Sequence, residues 1–306
     1  MNPSLLVLAD LSAPAERAAQ YAALLGTPLH AHLTLLHFYH DPVLELELAG
    51  VTSAQLNRNQ ADTAAALRVV AQRLPVTADV TVSVAPMPEA IAQAVYQHHP
   101  LLLAMGLSSE HALLDHWLRN QVLPVLRATQ QPLLLVPEGA ALRPPRRVVL
   151  AVDAEPFTLN AAALDLAPLF AAWPDAAYTV ANIPARHEQP AFSGAMALDD
   201  VRTSGLLPRS APLELYEHRH FSAVTGIVQA LEDTHADLLV LIARPRSFLG
   251  RLFHSSVTAQ VLRLSPVPVL LLPAATAEVP MADLTDRAAT VAEYANAVLT
   301  GLSPAS

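Results

Sequence analysis

The 306 residues of this chain suffice for about two domains, and 53% of them are hydrophobic, which is enough for a sizeable core in each. The sequence contains no Cys and no Lys, which excludes disulfides, thiol nucleophiles, Schiff-base chemistry and a phosphate-loop lysine. A formal net charge of −9, with no basic stretch among aromatic residues, argues against a nucleic-acid partner.

The chain opens on an apolar run that reaches Asp10 with no basic segment before it. This pattern is typical of a buried strand and not of a signal peptide. No apolar run approaches the roughly 18–20 residues that a membrane-spanning helix needs. We therefore expect a cytoplasmic protein without a membrane partner.

The first half alternates short apolar runs with helical patterns. Ser12 is placed to cap the first helix, Pro14 lies in its first turn and Gly26 follows its last residue. Strands are predicted at 5–9, 33–38, 79–84, 101–105 and 133–136, and helices at 12–25, 53–73, 88–98 and 111–128. Pro124 is expected to perturb the last of these helices.

The second half repeats this order after a linker over 138–147. Pro144 and Pro145 make the linker stiff, so the halves are expected to keep a defined separation. Strands are predicted at 148–152, 178–183, 213–217, 238–242 and 269–272, and helices at 157–172, 223–235 and 256–264. The segment 186–209 has weak helical periodicity and is predicted to be mobile, with a short helix.

Both halves close on the same residues. The types at 125–127 and 132–137 recur at 261–263 and 268–273, an offset of 136 positions. A repeat of this length indicates two copies of one unit. After the second copy, apolar residues at a 4-3-4-3-4 spacing predict a C-terminal helix that docks on the body or on a second chain, so we expect a homodimer.

Continuously apolar strands that alternate with helices predict parallel sheets covered on both faces. Ligands of such sheets bind beyond the carboxyl ends of the strands, where Asp10 and Asp153 lie. Each of these acids is also in a position to favour the start of a helix through the helix dipole, so a structural role and a ligand role both stay open.

Residues 5–26 and 238–273 resemble the universal stress protein family: the first range its first strand, Asp and helix, the second its fourth strand, loop, helix and fifth strand. The resemblance implies an α/β fold of the adenine-nucleotide alpha hydrolase-like type. It implies two tandem open five-stranded parallel sheets, each in the order 3-2-1-4-5 with helices on both faces. The domains would be 1–140 and 141–275, followed by a helical tail over 276–306. The halves would pair through their last strands as an internal pseudo-dimer.

ATP-binding members of this family carry Gly-x2-Gly-x9-Gly-Ser/Thr after the fourth strand. Glycines there let backbone N–H groups approach the phosphates. The pattern falls in the first half on Gly106, Ser109, Arg119 and Asn120, and in the second on Ile242, Pro245, Ser255 and Ser256. One glycine of three survives in the first half and none survives in the second.

Two functions follow from this pattern. In the first, the sites are degenerate, no cofactor binds, and a non-enzymatic protein acts in stress response through binding. In the second, the protein is an ATP or AMP sensor that uses mainly the first-half cleft. The candidate nucleotide-cleft residues are Asp10, Gly106, Ser109, Asn120, Asp153, Arg246 and Ser256. Arg244, Arg246 and Arg251 would then replace backbone amides by side-chain charge.

Enzymatic chemistry has no support in the motifs. The sequence lacks a G-x-S-x-G elbow, an H-E-x-x-H pair and a P-loop. The histidines near the second and third strands have neither a Cys nor a clear carboxylate partner, so no metal site is predicted. The lost glycines and the absent lysine also argue against an ATP hydrolase.

Overall fold

The computed structural model describes residues 2–38, 53–108, 129–153, 155–183, 190–217, 222–243 and 257–276. The strands within these ranges are β1 (Ser4–Leu8), β2 (His32–Phe38), β3 (Ala78–Ser83), β4 (Leu103–Leu107), β5 (Leu133–Pro137), β6 (Arg147–Ala151), β7 (Phe157–Leu159), β8 (Ala177–Asn182), β9 (Leu213–Glu217), β10 (Leu238–Ala243) and β11 (Val269–Thr276). The α-helices there are α1 (Ala13–Gly26), α2 (Ser53–Gln72), α3 (Met87–His98), α4 (Ala161–Leu164), α5 (Ala167–Ala171), α6 (Pro190–Thr203), α7 (Ala223–Asp233) and α8 (Val257–Leu264).

Helix α1 begins and ends where its local chemistry requires. Ser12 is extended and its side chain accepts a hydrogen bond from the Ala15 N–H, which satisfies one of the free donors of the first turn. At the other end the Thr27 hydroxyl donates to the Ala23 carbonyl at 2.8 Å. The alanines of one helix face pack on the sheet, because their small side chains allow close contact.

The strands form one continuous sheet in the order β3-β2-β1-β4-β5-β11-β10-β6-β8-β9. Within each half five strands are parallel and follow the predicted order 3-2-1-4-5, and the short strand β7 lies off this order. The last strands of the halves, β5 and β11, pair antiparallel, with Leu134 opposite Leu270. The expected two sheets are therefore joined edge to edge into a single sheet.

The antiparallel pairing of β5 with β11 fixes the direction of everything beyond it. Because the other four strands in the 3-2-1-4-5 order of each half run parallel to its last strand, the two halves run in opposite directions. The carboxyl ends of the first-half strands therefore lie on the same side of the molecule as the amino ends of the second-half strands.

Hydrophobic cores cover both faces of the sheet and cross the junction. On one face Leu134 and Leu270 join a core that reaches from Tyr21 of α1 to Phe170 of α5. On the other face the core contains β5 and β11 residues together with α3, α7 and α8. These shared cores make the two halves one packed body.

The structure corrects the predicted helix over 157–172. Its first turn is instead strand β7, which pairs antiparallel with the end of β11, where Ala274 lies opposite Leu159. Helix α4 begins only after Asn160, whose side chain accepts from the Ala163 N–H at 2.8 Å. The alternation of buried Phe157, exposed Thr158 and buried Leu159 fits a strand with one covered face.

The structure describes part of the segment 186–209, but not the predicted helices over 111–128 and in the C-terminal tail. The segment predicted as mobile with a short helix contains the 14-residue helix α6, which packs on β8 and β9. The predicted helices over 111–128 and in the C-terminal tail lie outside the described residues. Within the described ranges, no helix is long and apolar enough to cross a bilayer.

Asp237 anchors the linker between the halves. Its Oδ1 accepts hydrogen bonds from the backbone N–H groups of Arg146 and Arg147 at 2.9 and 3.0 Å. Its own N–H donates to the Arg147 carbonyl at 2.9 Å. The Asp237 side chain is buried, so the amides it satisfies have little access to water. The linker is therefore held by hydrogen bonds as well as by its prolines.

Replacing Asp237 by alanine should lower the free energy of unfolding by about 2–3 kcal/mol, because two partly buried amides lose a charged acceptor. Asp237→Asn keeps an acceptor oxygen and should cost about 1 kcal/mol. Urea denaturation followed by circular dichroism measures both. Exposed Asp175 supplies the control variant Asp175→Ala; a loss no larger than the control's would contradict the anchoring role.

Candidate functional site

The carboxyl end of β1 leads into a tight turn at Asp10. The Asp10 Oδ1 accepts hydrogen bonds from the Ser12 N–H at 3.0 Å and from the Ser12 hydroxyl. The same hydroxyl oxygen accepts from the Ala15 N–H at 3.3 Å. Asp10 is thus linked through Ser12 to the first turn of α1, while its side chain stays exposed to solvent.

Leu11, between these two residues, has an unusual backbone. Its φ is +62°, in the left-handed region that non-glycine residues seldom adopt, and its side chain is 47% exposed. Such strain costs on the order of 1 kcal/mol and persists where surrounding bonds enforce it. Here the Asp10–Ser12 bonds hold the turn, so the strand end and the helix start are kept in one geometry.

Gly106, near the end of β4, lies against the start of α1. A Cβ atom built on it would stand 2.2 Å from the carbonyl carbon and oxygen of Pro14 and 2.6 Å from the Ala15 nitrogen. Backbone atoms cannot move aside as a flexible side chain can. Packing of α1 on the sheet therefore suffices to require glycine at this position, whether or not a ligand binds.

In each half, a side chain of the second strand contacts the backbone carbonyl of the residue that precedes the strand-end Asp. In the first half His37 Nδ1 lies 2.6 Å from the Ala9 carbonyl oxygen. In the second half the Asn182 side-chain amide donates to the Val152 carbonyl at 3.1 Å. The two positions correspond in the sheet. His37 directly follows the residue paired with the last residue of β1, and Asn182 directly follows the residue paired with the last residue of β6. Sequence reasoning missed both roles.

The second half differs from the first just after its Asp. The Asp153 Oδ1 accepts from the Glu155 N–H at 3.2 Å, which repeats the backbone bond of Asp10. Glu155, however, stands where the first half has Ser12, and strand β7 follows where α1 begins. Ile242 occupies the position of Gly106. The second half thus lacks the helix start that lies beside Asp10.

The sequence profile of the universal stress protein family matches residues 1–137 and again residues 145–273. The chain belongs to the universal stress protein family. The two matches span nearly all of both halves, so the family unit is present twice. Among curated protein sequences, none matches the chain at a significant level.

Solved structures of universal stress proteins share the fold. One from Archaeoglobus fulgidus is 15% identical and aligns over 88% of this chain and 95% of its own, with a TM-score of 0.60. A putative universal stress protein from Pseudomonas aeruginosa is 18% identical and aligns over 96% of this chain and 97% of its own, with a TM-score of 0.52. At these identities the likeness concerns the fold.

The structure brings together two of the candidate nucleotide-cleft residues. Asp10 follows β1 and Gly106 lies near the end of the neighbouring strand β4, and both contact the start of α1. Asp153 lies on the opposite side of the molecule, because the second half runs the other way. Ser109, Asn120, Arg246 and Ser256 lie outside the described residues. Their assignment to the cleft stays a prediction.

Helix α6 covers polar groups at the ends of β8 and β9. Ser193 donates to the Asn182 side-chain oxygen at 3.0 Å, and the Gly194 backbone donates to Glu217. Burial raises the pKa of Glu217, and the Gly194 hydrogen bond partly offsets that effect. A Cβ on Gly194 would stand 2.8 Å from the Glu217 Oε1. Within the second half, these strand-end groups are therefore satisfied by the protein itself.

A metal centre finds no support in this part of the structure. Across the described ranges, no three His, Asp or Glu side chains are grouped closely enough to hold an ion. His37 and Asp10, two titratable groups at the first-half strand ends, are engaged with Ala9 and Ser12 respectively.

Proposed function

We propose that this protein is a non-enzymatic universal stress protein that acts in stress response through binding, with its two halves working as an internal pseudo-dimer. The pairing of β5 with β11 supports this proposal more than any other observation. The sequence preserves its closing segments in duplicate, and these are the segments that pair. The protein retains the strands that join the halves, whereas the nucleotide motif has lost most of its glycines.

The polar residues at the strand ends favour a binding role over catalysis. Asp10 supports the capping of α1, and His37 and Asn182 fix strand-end carbonyls. Gly106 is accounted for by its close approach to Pro14. General acid–base catalysis needs a group placed to exchange protons with a substrate. These residues instead have structural tasks.

A second candidate function is nucleotide sensing in the first-half cleft. It is favoured by the exposed Asp10 carboxylate at the carboxyl end of β1, because ligands of open parallel sheets bind beyond these strand ends. The second half has no helix start next to Asp153, since β7 follows there. Any nucleotide should therefore bind once per chain.

Calorimetric titration with ATP, ADP and AMP in the presence of Mg²⁺ separates the two functions. If the first-half cleft is a sensor, the intact protein should bind one nucleotide with micromolar affinity, and Asp10→Ala should weaken binding by at least about tenfold. Asp153→Ala is the matched control, because it removes the corresponding carboxylate from the other half.

Absence of heat up to millimolar nucleotide would leave the degenerate-site proposal standing and remove the sensor. Equal losses in both variants would contradict the assignment of the site to the first half. Release of phosphate from ATP by the intact protein would overturn the non-enzymatic proposal. Because Asp10→Ala also weakens the capping of α1, its urea midpoint is measured beside the titration.

A further inference from the structure

A cavity of about 380 Å³ lies beside the linker that joins the halves. It is lined by Arg143, Pro144, Arg146, Arg147 and Asp237. Arg147 opens β6 and Asp237 directly precedes β10, so the cavity lies at the amino ends of these strands. It is therefore remote from the second-half cleft, which lies at their carboxyl ends.

The charges that line this cavity do not cancel. Three arginines and one aspartate line the cavity, a formal excess of two positive charges in a protein whose formal net charge is −9. The carboxylate of Asp237 is also already engaged, because its Oδ1 accepts from the Arg146 and Arg147 amides. Its Oδ2 lies 3.9 Å from Arg143 Nε, a distance at the limit of an ion pair.

The side chains of Arg146 and Arg147 are exposed and have no carboxylate partner among the described residues. Their backbones, by contrast, are fixed by Asp237, and neighbouring Pro145 is buried. Because the backbone is already fixed, binding of an anion has to order only the two arginine side chains. Arginine also matches phosphate and carboxylate oxygens by bidentate hydrogen bonding.

We propose that this linker cavity binds the phosphate group of a small metabolite, with Arg146 and Arg147 as the main ligands and Arg143 as a third. A phosphate monoester carries a charge of about −1.5 to −2 at neutral pH, which balances the two unpaired positive charges. The volume suits a small molecule, since ligand pockets span about 300–1,000 Å³. This site is separate from the first-half nucleotide cleft.

All the residues that line the cavity belong to the linker and the second half. The cavity lies on the same side of the molecule as the carboxyl ends of the first-half strands, and β4 and β10 are three strand spacings apart, or about 14 Å. Burial raises the pKa of Tyr21 in α1; the charge of Asp237 raises it further and that of Arg143 lowers it. Asp237 and Arg143 are therefore close enough to α1 to affect the pKa of Tyr21.

Calorimetric titration of the full chain with glycerol phosphate, inorganic phosphate and succinate tests the proposal. Glycerol phosphate should bind once per chain, and the double variant R146Q/R147Q should weaken its binding by at least about tenfold. The control R68Q/R73Q removes two exposed arginines, at 68 within α2 and at 73 just after it, and should change the affinity by less than about twofold.

The arms of the experiment have distinct meanings. Inorganic phosphate that binds with the same arginine dependence would support recognition of the phosphate group itself. Binding of succinate alone, equal losses in the two double variants, or no binding up to about 10 mM ligand would overturn the proposal. Dependence of glycerol phosphate binding on Arg146 and Arg147 assigns it to this cavity, whereas dependence on Asp10 would assign it to the first-half cleft and overturn the proposal, so failure of the nucleotide proposal and failure of this one are distinguishable. Unchanged urea midpoints show that the arginine variants fold.

Discussion

Replacement of Leu270 by aspartate should unfold both halves of the chain together. Leu270 is 1% exposed and lies opposite Leu134 in the antiparallel pair that joins β11 to β5. Its side chain belongs to a core that receives residues from both halves. An aspartate there loses the packing of the leucine and buries a carboxylate without a partner. The expected loss is about 5 kcal/mol or more, comparable with the whole stability of many domains.

Urea denaturation followed by circular dichroism, together with size-exclusion chromatography, measures this effect. The matched control is Leu142→Asp, the same substitution at a linker leucine that is 39% exposed. It should change stability by no more than about 0.5 kcal/mol. If one half of Leu270→Asp still unfolds at the native urea concentration, the two halves are energetically independent, contrary to what the shared cores indicate.

Gly106→Ala has the second largest expected effect, a loss of about 3 kcal/mol. The added methyl group would meet the backbone of Pro14 at 2.2 Å, so either β4 or the start of α1 must shift. Insertion of a methyl group into a packed region usually costs about 1–3 kcal/mol, and a contact with backbone belongs at the upper end of that range. The shift would also move Ser12 and, with it, Asp10.

Gly139→Ala is a suitable control, because no atom lies within 4 Å of the Cβ position there. It should be neutral or slightly stabilising, by at most about 1 kcal/mol, since alanine restricts the unfolded chain. Urea midpoints of the two variants give the comparison. Equal stability of Gly106→Ala and Gly139→Ala would mean that the contact between β4 and α1 is looser than the structure shows.

The first-half elements were predictable because their signals are local. Ser12 directly precedes α1, Pro14 lies in its first turn and Gly26 is its last residue, and the buried part of β1 is apolar throughout. The helix predicted over 157–172 was wrong for the opposite reason. Strand β7 exists through its pairing with residues 274–276, more than 100 positions away, and a local pattern carries no information about such a partner.

The ligand roles of Asp10 and Gly106 stay predictions, although the structure places both residues beside the start of α1. The packing reason for Gly106 depends on a distance between separate elements, which the sequence does not contain. The matched roles of His37 and Asn182 were not predicted, because the two residue types differ and a comparison of the repeats by residue type does not pair them. Their equivalent positions in the second strand of each half were the only signal in the sequence.

The opposed directions of the two halves have a consequence for how this molecule can evolve. In a homodimer made from a single unit, every mutation appears twice, once on each side of the assembly. In this chain a mutation appears once, on one side only. Selection can therefore close the cleft beside Asp153 without altering the turn at Asp10. Because both units lie in one chain, each half can change independently, while the pairing of β5 with β11 still unites them.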